Sequence, residues 1–169
     1  KSEVFIELAR FDQAQILLEN LFSIVDKDFP NTYAHCRWLS TMGGLECRKG
    51  KFAHGLTKLK NSLEMIRELG LENDLKAFLI YERLAETYNS RAQYDEAHEL
   101  IEDILNLIRN NQGEEGYLMI DVKNLNGVYL YDISYYNDSK KIFIENLEKA
   151  RKIYGEEHSK VALIYKYLA

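Results

Sequence analysis

The chain has 169 residues and a net charge of −5 at pH 7, and 46% of its residues are apolar, which is enough to bury a core. No face collects the basic stripe that phosphate binding needs, so direct contact with nucleic acid is not expected. No run of about 18 apolar residues is present, so no membrane-spanning helix is expected.

A single proline and nine glycines leave room for long helices, and apolar periodicity predicts about nine of them in an all-α fold. Residues 1–9 look like the end of one helix, and Arg10 and Phe11 turn the chain. Further helices are expected at 11–27, 32–48, 51–68, 74–90, 117–133, 136–154 and 160–169. Between 90 and 117 one more is expected, with Asp95 in its first turn and its end at about Asn110. The inward-facing residues of the first two of these are expected to be Ala14, Leu18, Phe22, Val25, Trp38, Leu39, Met42 and Leu45.

Turn and capping residues separate the predicted helices. The Phe29-Pro30-Asn31 segment ends the first pair, because the residue before a proline is pushed out of the helical region. Gly50 is expected to end a helix in the left-handed conformation. Asn73 or Asp74 is expected to cap the helix at 74–90, and Ser159 is expected to cap the last one.

One spacing of small and aromatic residues recurs along the chain. In the stretch Leu84 to Leu105 a small residue is followed by an aromatic residue nine positions later, a second small residue, and two aliphatic residues at intervals of four. The copies, 42 residues apart except for a shift of one in the first, are Ser2-Phe11-Ala14-Leu18-Phe22, Gly43-Phe52-Gly55-Leu59-Leu63, Ala85-Tyr94-Ala97-Ile101-Leu105, Gly127-Tyr136-Ser139-Phe143-Leu147, and a fifth that begins at Ala169. This recurrence predicts a helical repeat array.

The small residues explain how such repeats pack. Two antiparallel helices approach closely only where side chains are small, and neither helix of a pair buries its apolar stripe alone, so the next pair must stack on it. We therefore expect an α-α superhelix in a single domain, 1–169. Its repeats are expected at about 1–30, 31–72, 73–114 and 115–157, with a partial repeat at 158–169.

The motif resembles the tetratricopeptide repeat. Leu84-Ala85, Tyr88, Tyr94, Ala97 and Ile101 match the consensus of that family in order. The period of 42 rather than 34 is similar to the longer variant in kinesin light chains, and residues 150–162 resemble that variant's inter-repeat segment. The pattern departs from the consensus at positions 81, 126, 139 and 159, which hold Tyr81, Asn126, Ser139 and Ser159.

No catalytic or metal-binding pattern is apparent. His35, Cys36, Cys47 and His54 match no zinc spacing, and no phosphate-binding glycine loop is present. We therefore expect no enzymatic activity, metal or cofactor. The two cysteines lie on one predicted helix, roughly 16 Å apart at about 1.5 Å per residue, which is too far for a disulfide. Free thiols fit a cytoplasmic protein.

The resemblance implies a right-handed α-α superhelix. Its concave groove, lined by the first helix of each pair, would bind a protein or an extended peptide. Counting from each small residue, the candidate binding residues, all expected to be exposed, are Arg37, Ser40, Arg48, Glu82, Asn89, Asn124, Tyr131 and Lys166. Amides would bond to a peptide backbone, the cations would meet acidic groups, and Tyr131 would stack on an apolar side chain.

Two functions fit these features. The first is a protein- or peptide-binding scaffold. The alternative is the peptide-sensing domain of a bacterial transcriptional regulator whose DNA-binding part lies outside this chain, because such receptors grip ligands with asparagines at positions like Asn89 and Asn124. The sequence begins and ends inside predicted first helices, which favours a homo-oligomer through exposed terminal residues. Those at the carboxyl end are Val161, Ile164, Tyr165 and Leu168.

Overall fold

A computed structural model of the chain describes residues 10–169. Eight α-helices are present there and no strand, which confirms the all-α prediction for that range. The helices are α1 (Phe11–Asp28), α2 (Tyr33–Arg48), α3 (Phe52–Glu68), α4 (Phe78–Ser90), α5 (Tyr94–Gln112), α6 (Leu118–Asp132), α7 (Tyr136–Tyr154) and α8 (Ser159–Leu168). A 3₁₀ turn, Leu75–Ala77, precedes α4. The helix expected to end within residues 1–9, with its small residue Ser2, lies outside the described residues.

The chain divides into two compact units, one ending at Thr87 and one beginning at Tyr88, so that the boundary falls within α4. Each unit contains helices of both repeat positions. We call α2, α4, α6 and α8 the first helices and α1, α3, α5 and α7 the second helices. The assignment of all five repeats to one domain stays a prediction.

In the unit that ends at Thr87, α1 packs on α2. Ala14 and Leu18 are buried against Met42 and Leu45, and the indole Nε1 of Trp38 donates a hydrogen bond of 2.7 Å to the Leu18 carbonyl. The expected inward position of Phe22 is wrong. Its side chain is 42% exposed, and its ring covers Trp38 at a centroid distance of 4.7 Å.

The small residues of the repeat do mark close helix crossings. A Cβ atom added to Gly43 would lie 2.8 Å from the Gly55 carbonyl oxygen and 2.9 Å from Cγ of Leu59. One added to Gly127 would lie 2.7 Å from the Phe143 ring. At the same crossing the Ser139 hydroxyl donates to the Gly127 carbonyl at 2.7 Å. The predicted register of these residues is therefore confirmed between α2 and α3 and between α6 and α7.

In the unit that begins at Tyr88, helices α6, α7 and α8 share one apolar core, whose buried members are Ile120, Phe143, Leu147, Ala150, Val161 and Ile164. The expectation that Val161 and Ile164 are exposed is wrong, because both are buried in this core. Tyr165, in contrast, has 40% of its surface accessible. Helix α8 is thus already packed on α7 along its apolar stripe.

The backbone repeats with the same period as the sequence. The turns between the helices of a pair hold a residue with positive φ: Gly50 at 81°, Ala92 at 57° and Ser134 at 70°. The residue after each one donates to a carbonyl five positions earlier, at 2.8–3.0 Å. These are Schellman-type helix ends. Gly50 confirms the expected left-handed end, and the other two turns use the same conformation without glycine.

The loops between pairs repeat as well. Gly113 and Gly155 both have positive φ, and each is flanked by an ion pair. The pairs are Arg109 to Glu114, at 2.7 Å, and Arg151 to Glu156, at 2.6 Å. The hydrogen bond from each arginine lowers the pKa of its glutamate. Arg67 and Glu72 stand at the same repeat positions in the preceding loop.

Side chains cap the 3₁₀ turn before α4 and the start of α8. Asp74, one of the two predicted candidates, accepts from the Lys76 amide at 2.8 Å. The predicted cap Ser159 is wrong. His158 occupies the cap position, and its Nδ1 accepts from the Lys160 amide at 3.2 Å, because α8 begins one residue earlier than expected. In residues 10–169 no helix is both long and apolar enough to cross a membrane.

The neighbouring glycines of α2 allow a matched test of the crossing. Gly43→Ala is expected to lower the free energy of unfolding by about 1–3 kcal/mol, because its Cβ would meet backbone and a packed leucine. Gly44→Ala meets only the flexible Arg83 side chain, 3.3 Å away, and is expected to be neutral or up to about 1 kcal/mol stabilising. Urea denaturation followed by circular dichroism measures both, and equal effects would contradict the crossing.

The left-handed turns give a second matched pair. Ala92→Gly is expected to raise the free energy of unfolding by about 1 kcal/mol, because glycine adopts positive φ without the steric cost that an L side chain incurs. Gly50→Ala is expected to lower it by a similar amount. Thermal melts of the two variants should therefore move in opposite directions, and shifts of the same sign would disprove the shared turn conformation.

Candidate functional site

The structure separates the eight candidate binding residues into two groups. Arg37, Arg48, Tyr131 and Lys166 are exposed, and Glu82 is half-buried. Ser40, Asn89 and Asn124 are buried, so the expectation of exposure is wrong for these three. Each of them is held by hydrogen bonds within its own unit.

Ser40 belongs to a contact between two first helices, α2 and α4. Nη1 of Arg83 donates to the Ser40 hydroxyl at 3.1 Å and to the Thr41 hydroxyl at 3.0 Å. The aliphatic part of the arginine passes beside Gly44, where a Cβ atom would lie 3.3 Å from its Cδ. Ser40 is therefore a packing residue, and Arg83 is the cation that sequence reasoning missed on this face.

Arg48 lies on the same face of α2, where it influences an acidic group of α4. Surrounding protein desolvates the Glu86 carboxyl and raises its pKa, while Arg48 and Arg83 lower it. The side chain of Glu86 keeps accessible surface, so the desolvation does not reflect full enclosure. This face thus combines arginines with a carboxyl group that is held less acidic than usual.

Asn124 is part of a buried network between α6 and α7. Its Oδ1 accepts from Nδ2 of Asn146 at 2.8 Å, and the same nitrogen donates to the Ile120 carbonyl at 2.8 Å. The equivalent position to Asn146 in the second repeat is Ser62, whose hydroxyl donates to the Cys36 carbonyl at 2.9 Å. Asn124 consequently faces the partner helix and not an open surface.

Asn89, 6% exposed, links two first helices in the unit that begins at Tyr88. Its Nδ2 donates to Oδ2 of Asp132 at 2.5 Å. Its amide oxygen is buried and accepts no hydrogen bond from the described residues. Asn89 therefore helps to position Asp132, and it cannot present its amide to a peptide backbone without leaving this arrangement.

Tyr131 and Lys166, which the sequence placed on different helices, line one pocket of about 620 Å³. The remaining lining residues are Val128, Asp132, Tyr136, Ser139, Lys140, Phe143, Tyr167, Leu168 and Ala169. Tyr131 is 58% exposed and meets the Tyr136 ring edge-on at a centroid distance of 5.2 Å. We call this cavity the tyrosine pocket.

The tyrosine pocket mixes aromatic walls with charge. The Tyr167 ring stacks on Phe143 at 5.0 Å, and Nζ of Lys166 lies 6.0 Å from the centre of that tyrosine ring. Lys140 adds a second cation, and Asp132 adds a carboxylate that already accepts from Asn89. The arrangement suits recognition of a ligand with an apolar ring and a negative group.

Sequence reasoning missed Tyr136, Lys140 and Tyr167 at this pocket. Tyr136 is the aromatic residue of its repeat copy, and 56% of its surface is accessible. Lys140 stands one position after the small residue Ser139, and Tyr167 follows Lys166 directly. A charged or aromatic residue next to a named repeat position is the sequence pattern that could have indicated these three residues.

The metal-binding groups of the described part of the chain, residues 10–169, are its histidine, cysteine and carboxylate side chains. No cluster of three or more histidine, cysteine, aspartate or glutamate side chains with metal-site geometry occurs there. Cys36 and Cys47 are buried free thiols, and burial raises the pKa of both, which disfavours the reactive thiolate.

Comparison with known proteins identifies the fold. No protein-family model and no curated protein sequence matches the chain. The fold is similar to that of BtubC (BKLC) from P. vanneervenii, a kinesin light chain-like repeat protein, in a crystal structure. The TM-score is 0.76 at 16% sequence identity, and the match covers 99% of this chain and 67% of that one. The similarity establishes a helical repeat fold.

The buried network gives a test that separates structural from exposed candidates. Asn124→Ala is expected to lower the free energy of unfolding by about 1–3 kcal/mol, because Asn146 loses a buried hydrogen-bond partner. Tyr131→Ala, at an exposed site, is expected to change it by less than about 0.5 kcal/mol. Chemical denaturation compares the two, and a neutral Asn124→Ala would mean that the amide is free to serve a ligand.

Proposed function

We propose that this protein is a non-enzymatic scaffold of the tetratricopeptide type, in the long-repeat variant, and that it binds a protein or peptide partner through its first helices. The repeat fold, with its period of 42 residues in both sequence and backbone, supports the family assignment. Folds of this kind expose one face of each first helix for partner binding.

The tyrosine pocket is the observation that carries the proposal. Tyr131 and Lys166 were both expected on the binding face, and they line the same cavity. A pocket of this size with exposed rings and two lysines is suited to anchor an aromatic or apolar side chain beside an acidic group of the partner. In the other unit, Arg37 and Arg48 are exposed as well.

The alternative role, a peptide-sensing domain of a transcriptional regulator, has less support from the geometry. It relied on Asn89 and Asn124 as groups that hold a ligand backbone. Both are buried and take part in hydrogen bonds within the fold. The scaffold hypothesis needs neither residue, and we therefore favour it.

The proposal is tested with a partner first isolated by pull-down on the full chain. The double variant Tyr131→Ala with Lys166→Ala is expected to lose about 2 kcal/mol of binding free energy, or roughly thirtyfold in affinity, measured by calorimetry. The matched control is Tyr117→Ala with Lys152→Ala, two exposed residues outside the tyrosine pocket. Equal affinities for the two double variants would exclude the pocket as the partner site.

A further inference from the structure

One repeat position, at the start of each first helix, is occupied by four different side chains. Its occupants, 42 positions apart, are Thr32, Asp74, Gly116 and His158. The carboxylate of Asp74 accepts a hydrogen bond from the amide two residues later, that of Lys76. Nδ1 of His158 accepts the equivalent bond from the Lys160 amide at 3.2 Å. The same capping bond is therefore made by a carboxylate in one repeat and by an imidazole in another.

The bond at His158 requires a neutral imidazole. Nδ1 accepts a hydrogen bond only when it carries no hydrogen, which places the single ring hydrogen on Nε2. A protonated imidazole has hydrogens on both nitrogens, so its Nδ1 hydrogen would face the hydrogen of the Lys160 amide. Imidazoles gain this proton near about pH 6.5, whereas a carboxylate keeps its charge down to about pH 4. Of the two caps, only the imidazole cap is therefore lost near neutral pH.

The surroundings of His158 on α7 and α6 include a tyrosine and an ion pair. The imidazole ring stacks on Tyr154 of α7 at a centroid distance of 4.5 Å, with the planes 19° apart. Nζ of Lys160 lies 5.3 Å from the centre of the same tyrosine ring and pairs with Asp121 of α6 at 2.6 Å. Protonation would place a second cation beside one tyrosine ring, at the positive end of the α8 dipole. Both effects disfavour the charged imidazole.

Two carboxylates act in the opposite direction. Glu156 and Glu157 directly precede His158 in the sequence. Both are exposed, and Glu156 is paired with Arg151 at 2.6 Å, so solvent and the arginine weaken their attraction for an imidazolium. Stacking on Tyr154 also favours a cation, although the neutral ring stacks there too. The lost capping bond and the helix dipole therefore outweigh these contributions, and the fold favours the neutral ring.

We propose that His158 is a pH-sensitive helix cap, which stabilises the first turn of α8 above about pH 7 and releases it below about pH 6. Below neutral pH the unfolded chain binds a proton that the capped fold excludes, so stability falls as the pH falls. Helix α8 supplies Val161 and Ile164 to the core that it shares with α6 and α7, so loss of the cap weakens that core. This device needs no partner and goes beyond the scaffold role.

Thermal melts of the full chain at pH 7.5 and pH 5.5 compare the unaltered protein with His158→Asn. Asparagine caps a helix through its side-chain oxygen and does not titrate. The other three histidines are present in both proteins, so their contributions cancel; they are His35, His54 and His98. Between the two pH values the unaltered protein is expected to lose about 2–4 °C more than the variant. Equal losses would overturn the proposal.

Nuclear magnetic resonance provides a local measurement. At pH 7.5 the nitrogen-15 spectrum is expected to show Nδ1 of His158 without a hydrogen, and a hydrogen on Nδ1 would disprove the cap. Relative to its intrinsic rate, the Lys160 amide is expected to exchange at least threefold faster at pH 5.5 than at pH 7.5, but equally at both in His158→Asn. The Lys76 amide, which Asp74 caps, is the control and is expected to stay unchanged.

Two further variants keep the test decisive if His158→Asn does not fold. His158→Asp introduces the carboxylate that Asp74 supplies at the equivalent position, and it is expected to remove the additional loss at pH 5.5. His158→Ala has no cap at either pH. It is expected to melt about 2–4 °C below the unaltered protein at pH 7.5, with no additional loss at pH 5.5. If His158→Ala melts like the unaltered protein at pH 7.5, the imidazole does not stabilise α8 and the proposal is wrong.

Discussion

The close crossing of paired helices at small residues is the constraint on which the structure depends. Where Gly43 meets Gly55, and where Gly127 meets Ser139 and Phe143, there is no room for another carbon atom. Contact at that distance sets how far apart the two helices lie, and so which apolar residues reach the neighbouring pair. The cores that join α1 to α2 and α6 to α7 and α8 follow from it. A repeat array needs this distance to be the same each time.

Polar contacts between successive first helices add a second level of organisation. Arg83 reaches Ser40 and Thr41 in one unit, and in the other Asn89 reaches Asp132 and Lys160 reaches Asp121 at 2.6 Å. Some of the residues in these contacts, such as Ser40 and Asn89, were assigned to the binding face by their distance in sequence from the small residue of each repeat. The surface that remains accessible to a ligand is therefore smaller than the whole exposed face of the first helices. It consists mainly of aromatic side chains and of side chains that point away from the next helix.

The sequence predicted the helices, the crossings and the glycine turn because each is decided locally or by a strictly periodic residue. It failed for Ser40, Asn89 and Asn124, since a polar residue on a first helix can face solvent or a polar group on the neighbouring helix. Only the positions of Arg83, Asp132 and Asn146 decide between the two. The same limit applies to Ala92 and Ser134, whose left-handed backbone follows from repeat equivalence with Gly50 and not from their own preferences. The tyrosine pocket was half predicted, by Tyr131 and Lys166, because part of its wall comes from the second helix α7, where no binding residue was expected.

The buried amide pair of α6 and α7 has a consequence for how the repeats find one another during folding. All second helices carry similar apolar stripes, so any of them could pair with a wrong first helix. Asn146 meets an amide at Asn124 and a carbonyl at Ile120, whereas the same position is Ser62 in α3 and Ile104 in α5. If α3 or α5 took the place of α7 on α6, the buried amide of Asn124 would lose its hydrogen bond to Asn146. An unpaired buried polar group destabilises a fold by about 1–3 kcal/mol. The three helices α3, α5 and α7 therefore differ at this one buried position. That difference favours pairing of each second helix with its own first helix.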